Sequence, residues 1–195
     1  MKTSAILTSI LTAFATQAGV FDFDLQGRAG FGLLSGNELH NINGTPGSGG
    51  ETGLGISYDD ASNILTINIG WGSGNGFTDL TGNATAGHIH GLTAGSAPTS
   101  FTQTASVRYG LDSLAGWNNS AANGGFVGTV AISESDEAAL LAGQMYINVH
   151  TSSNGPGEIR GQLTPVPEPG ETVAAVSVAL GLFAVARRFR SSVKA

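Results

Sequence analysis

Val149-His150-Thr151-Ser152-Ser153-Asn154-Gly155-Pro156-Gly157-Glu158, continued by Ile159-Arg160-Gly161-Gln162-Leu163, decides the fold class. An alternating run, Met145 to Thr151, enters a Gly/Pro turn, and a second alternating run, Glu158 to Leu163, leaves it; this is the pattern of a β-hairpin carrying a histidine. Met145, Ile147 and Val149 share one face, so His150 falls on the other with Tyr146 and Asn148.

Working outward, the run Thr85 to Leu92 contains Gly87-His88-Ile89-His90-Gly91. His88 and His90 are two apart on a strand and share a face, while Ile89 packs on the other. Thr52 to Tyr58 and Ile64 to Trp71 form a second predicted hairpin, joined by Asp59 to Asn63, with Leu65, Ile67, Ile69 and Trp71 facing the core. Val20 to Leu25, Phe101 to Tyr109 and Phe126 to Ile132 are further strand candidates, and a short strand with a turn is expected around Leu33 to Glu38. Asn41 to Gly50 reads as loop, Trp117 to Gly125 as a polar connection, and Gly70 to Gly76 as a flexible one. The Gly-rich stretch at Gly70 lacks the spacing, the lysine and the following helix of a phosphate-cradling loop. Ser133 to Gly143 reads as the one short helix, with Ser133 as N-cap, acids in its first turn and Gly143 at its C-terminal end. Seven to nine short strands between Gly-rich loops predict an all-β, antiparallel Greek-key β-sandwich.

Composition narrows the chemistry. The chain has 195 residues, 30 of them glycine, and no cysteine, so one core is expected and disulfides, thiolate zinc sites and cysteine nucleophiles are excluded. Between Gly19 and Pro165 three arginines (Arg28, Arg108, Arg160) stand against twelve acidic residues, a net charge of −9, with no lysine. Such a surface repels phosphate backbones, so nucleic acid is not an expected partner, and Schiff-base chemistry has no lysine to use. No Gly-x-Ser-x-Gly elbow supports a serine hydrolase. The acidic pairs fall in strand faces, turns and the helix start.

The histidines carry what chemistry remains. If the two histidine strands are neighbours, His88, His90 and His150 converge, and neutral imidazoles suit copper, zinc or nickel. The alternative is that they hydrogen-bond loop backbone and fix the Gly-rich connections; the residues alone leave both open. His40 reads as a solvated loop residue, and Glu158 with Arg160 as a local ion pair on one strand face.

Both termini read as address labels. Met1-Lys2, the apolar Ala5 to Phe14 and the small residues up to Ala18 form the pattern of a secretory signal peptide, residues 1–18, leaving a domain at 19–165. Residues 166–195 have three parts: Pro167-Glu168-Pro169, an apolar run from Thr172 to Ala186, and a basic cluster with Arg187, Arg188 and Arg190. Fifteen residues as helix span about 22 Å, against about 30 Å of bilayer hydrocarbon, so this is a short hydrophobic helix that needs local thinning or snorkelling. This tripartite tail resembles the PEP-CTERM sorting signal. The resemblance implies an exosortase-type processing protease as partner, transient residence in the inner membrane, and delivery to the cell surface or extracellular matrix of a Gram-negative bacterium.

Ala86-Gly87-His88-Ile89-His90-Gly91, Tyr146-Ile147-Asn148-Val149-His150-Thr151 and Gly157-Glu158-Ile159-Arg160-Gly161-Gln162-Leu163 resemble the signature stretches of the CHRD domain, and Leu34-Ser35-Gly36-Asn37-Glu38 resembles its opening motif. The resemblance spans Leu25 to Thr164 and implies a β-sandwich. The same stretches are also similar to copper/zinc superoxide dismutase, which would make His88, His90 and His150 copper ligands. The chain departs from that family in having no further histidine between His90 and His150, no Asp/His zinc cluster and no cysteines. The expectation is therefore an exported, non-enzymatic CHRD-type module binding an extracellular polysaccharide or protein, with a candidate copper or zinc site at the three histidines. The alternative is a copper-dependent oxidoreductase of superoxide-dismutase type.

Overall fold

The computed structural model describes residues 19–167. The signal segment 1–18 and Glu168, Pro169, Arg187, Arg188 and Arg190 of the sorting signal, with its hydrophobic helix, lie outside the described residues. Eleven antiparallel strands follow in chain order: β1 (Val20–Gly27), β2 (Gly30–Phe31), β3 (Leu33–Leu34), β4 (Ser48–Asp59), β5 (Ile64–Trp71), β6 (Ala84–His90), β7 (Val107–Gly110), β8 (Trp117–Asn118), β9 (Gly124–Ala131), β10 (Met145–Thr151) and β11 (Ile159–Pro165). One helix, α1 (Glu134–Leu141), precedes β10. Hydrogen bonding links the strands in the order β7-β6-β10-β11-β1-β4-β5-β9-β8, with β2 and β3 attached at the side. The neighbours β6–β10, β11–β1 and β5–β9 are not consecutive in sequence, which makes the connections Greek-key in character.

That path folds over on itself. Trp117 of β8, at one end, packs against Gly87 of β6, near the other end, and one apolar cluster joins Ile89, Met145 and Ile147 from the first half to Ile67, Phe126 and Val130 from the second. The result is the expected all-β sandwich. Leu65, Ile67, Ile69 and Trp71 are all buried, as strand alternation requires. The close approach at Gly87 leaves no room for a side chain, since an added Cβ would stand 2.3 Å from the Trp117 ring. Gly87→Val is expected to cost about 1–3 kcal/mol by overpacking, read as a lower urea midpoint; an unchanged midpoint would mean that the two halves are not clamped there.

Several connections are more ordered than the sequence suggests. The predicted loop Asn41 to Gly50 ends early, because Gly49 and Gly50 pair with Trp71 and Gly70 inside β4–β5. An added Cβ on Gly49 would lie 2.6 Å from the Gly70 carbonyl, so these glycines serve close strand approach rather than flexibility. The connection expected to be flexible, Gly70 to Gly76, is a 3-10 turn pinned by the Asn75 amide, which donates to the carbonyls of Trp71 and Gly124. Of the alternating run Phe101 to Tyr109, only Val107–Gly110 is strand; Thr99–Thr102 is a 3-10 turn. Trp117–Asn118, expected to be connection, adds a short edge strand. The helix appears where expected, with Ser133 in the N-cap position and Gly143 left-handed just beyond its end.

Candidate metal centre

Antiparallel pairing of β6 with β10 sets His90 opposite Tyr146, His88 opposite Asn148 and Ala86 opposite His150. Strand alternation then divides the pair of strands cleanly. Ile89, Met145, Ile147 and Val149 enter the core, and His88, His90, Tyr146, Asn148 and His150 share the opposite face. The three sequence-predicted imidazoles converge, each offering a ligand atom within 4.8 Å of the others'. His88 Nδ1 and His150 Nε2 stand 3.0 Å apart.

The outer nitrogens are held in turn. His90 Nδ1–H donates to the Ala105 carbonyl at 2.9 Å, and His150 Nδ1–H to the Gly155 carbonyl at 2.7 Å. A carbonyl only accepts, so both rings keep their Nε2 lone pairs facing the cluster. His88 places Nε2 3.7 Å from a carboxylate oxygen of Asp112 and turns Nδ1 to the cluster. Ligating histidines commonly donate the second ring nitrogen to a carbonyl, as His90 and His150 do here. Burial lowers the pKa of His90, partly offset by the Ala105 carbonyl and reinforced by His88. Burial likewise lowers that of His150, offset by Gly155. Both effects favour the neutral ring that a metal requires. Nitrogens at 2.0–2.1 Å from a tetrahedral zinc ion lie about 3.4 Å apart, so modest ring rotations would gather these three.

Beside the cluster lies a polar layer that sequence patterning did not anticipate. His90 stacks on Tyr146 with centroids 4.8 Å apart and rings within 5° of parallel, and the Arg160 guanidinium lies 3.5 Å over the Tyr146 ring centroid. Arg160 is only 2% exposed, and its Nη2 donates to the carbonyls of Ser100 and Gln103 and to Gln162 Oε1. The predicted Glu158–Arg160 ion pair does not form. Glu158 is fully buried and accepts from the amides of Gly47 and Thr81, the hydroxyls of Thr81 and Thr151, and the Asn154 side-chain amide. Its burial would raise the carboxyl pKa, but these hydrogen bonds together outweigh that and lower it. No local signal identifies this role, since Gly47 and Thr81 lie 111 and 77 residues away.

Two further residues depart from expectation. His40, read as solvated, is half-buried, with Nδ1 3.9 Å from Glu38 Oε2. Glu38 is 6% exposed, and burial raises its pKa to about 7 against the opposing pull of the Arg160 charge and the Asn148 amide. Pro167 is exposed at the end of the described residues.

Comparison with known proteins adds one result. A family model described as CHRD domain matches residues 32–163. Neither curated proteins nor solved structures give a match.

Proposed function

The chain belongs to the CHRD-domain family, and from that premise we propose that it is an exported, non-enzymatic binding module of the cell surface or extracellular matrix, with one copper or zinc ion held by His88, His90 and His150. The observation that carries the metal reading is the set of three converging imidazoles, two of them fixed by backbone carbonyls in the tautomer that leaves a lone pair facing inward. The ion would link β6 to β10 and supply a coordination position for a partner's donor atom. His90 and His150 would hold the ion through Nε2, and His88 would hold it through Nδ1 with its ring proton on Nε2, on the side of Asp112. The division into a signal peptide (1–18), the module (19–165) and a sorting tail (166–195) is part of the same proposal. It rests on the tripartite sequence at Pro167-Glu168-Pro169, Thr172 to Ala186 and Arg187, Arg188 and Arg190, which an exosortase-type protease would process at the inner membrane.

A second reading, a copper-dependent oxidoreductase of superoxide-dismutase type, draws on the same His-x-His strand and strand-end histidine. The two separate in one experiment: metal content of the protein recovered from a periplasm supplied with copper and zinc, beside the His88→Ala/His90→Ala/His150→Ala variant. About one ion per chain, absent from the variant, is expected. Superoxide consumption by the copper-loaded protein would favour the second reading, and no stoichiometric metal in either protein would overturn the metal site.

A further inference from the structure

A cavity of about 330 Å³ opens on the polar face beyond His90, walled by Glu38, His40, His90, Tyr146, Asn148 and Arg160. Its volume lies at the lower end of small-molecule sites, which run about 300–1,000 Å³. Among the described residues six buried side-chain polar atoms lack a hydrogen-bond partner, and four belong to walls of this one cavity: Glu38 Oε1, His40 Nε2, His90 Nε2 and Asn148 Oδ1. Buried polar groups are ordinarily paired, so four orphans around one space mark a place built to be filled. Glu38 and Asn148 are 6% and 3% exposed, so bulk solvent does not serve them.

Three of the four atoms are acceptors. Asn148 spends its amide N–H on the Pro156 carbonyl, which leaves its oxygen to accept. His90 spends Nδ1–H on Ala105, so its Nε2 is a lone pair; His40 Nδ1 stands 3.9 Å from Glu38 Oε2, beyond hydrogen-bond reach, and its Nε2 can accept or donate. A carboxylate oxygen also accepts. The occupant must therefore bring several N–H or O–H donors. Charge then selects among donors. Above about pH 7 Arg160 and Glu38 face the same space with opposite signs and offset each other. An anion would meet three lone pairs, and an ammonium would meet Arg160. A neutral ligand meets neither obstacle, and Leu39, Pro156 and the edge of Tyr146 offer apolar contact for its C–H groups.

We propose that this cavity binds a neutral, hydroxyl-rich ligand the size of one sugar ring, whose O–H groups donate to Glu38, His90 and Asn148 and pair with His40 Nε2. The site does not depend on the metal reading, because only His90 belongs to both. With an ion on His90 Nε2, Glu38 and Asn148 remain as acceptors and His40 as a further partner.

The test is calorimetric titration of the full-length protein, with and without chelator, using D-glucose, D-galactose, D-mannose and N-acetylglucosamine, and with acetate and ethanolammonium as charged probes. At least one sugar is expected to bind saturably. The affinity should fall about tenfold or more in His40→Phe, which puts a ring into the cavity, and persist in His88→Ala/His150→Ala. Should His40→Phe melt early, Leu39→Trp narrows the same space from a more exposed position. Saturable binding of only a charged probe would overturn the ligand class. Sugar binding unmoved by both cavity variants would overturn the site, and so would absence of binding by every probe.

Discussion

Glu158→Gln is expected to lose about 3–5 kcal/mol of stability, the largest effect of any conservative change in the final hairpin. Glu158 Oε1 serves the amides of Gly47 and Thr81, while Oε2 serves the hydroxyls of Thr81 and Thr151 and the Asn154 amide. Glutamine has one acceptor oxygen, so whichever way its amide turns, two or three donors face an NH2 group that cannot accept. The carboxylate thereby fixes the loop before β4, the approach to β6 and the turn after β10 to one another. Its folded-state pKa is depressed. The stabilisation is therefore complete above the unfolded carboxyl pKa of about 4.3 and disappears as the pH falls through the lower folded value. Glu38 acts in the opposite sense: its folded pKa is raised to about 7, so ionising it erodes stability from about pH 4.3 up to that value. Urea midpoints between pH 8 and pH 3 would read both, and the acid-side fall should be shallower in Glu158→Gln than in the parent. A loss below about 1 kcal/mol, the scale of a single ordinary hydrogen bond, would sink the hub role.

Arg160→Met is expected to cost a similar amount, about 3–5 kcal/mol, despite nearly conserving side-chain volume. The guanidinium closes three acceptors, Ser100 O, Gln103 O and Gln162 Oε1, and caps the stack that runs from His90 through Tyr146. Methionine leaves those acceptors without Nη2 and removes a desolvated cation–π contact of about 2 kcal/mol. It also withdraws the positive charge beside Glu38, whose carboxyl then titrates higher still. The midpoint of denaturation measures the first effect, and a carboxyl chemical-shift titration of Glu38 the second. An unchanged Glu38 titration would show that Arg160 supports the loop 99–105 alone. Arg160→Lys restores charge but not the planar stack, so it should recover the Glu38 titration more fully than the stability.

The sequence made the strand faces legible because a strand's side-chain period is local. Ile89 between His88 and His90, and Tyr146, Asn148 and His150 between Met145, Ile147 and Val149, state inside and outside without reference to any partner. The hairpins β4–β5 and β10–β11 were legible for the same reason, each closing through a short turn. Gly49 and Gly50 misled because glycine marks both loops and close strand approach, and the two uses differ only in what stands opposite. The reading of Phe101 to Tyr109 failed because alternation persists through residues that lie over a sheet face instead of pairing within one.

By itself, then, the sequence determined the fold class, the histidine faces, the short helix before β10 and the CHRD motifs, all of which are properties of segments. The tertiary structure decided that β6 lies beside β10, bringing His88 to His150 across 62 residues. It also decided that the polar face of that pair is roofed by residues 35–43 and 99–105, that Arg160 holds those roofs through Asn37, Ser100 and Gln103, and that Glu158 ties Gly47, Thr81 and Asn154 together instead of pairing with Arg160. The physical reason is that pattern encodes which way a side chain points, whereas pairing order and loop coverage depend on contacts between residues far apart in the chain. Burial changes the meaning of a polar side chain from solvated surface to obligatory partner only once those contacts exist.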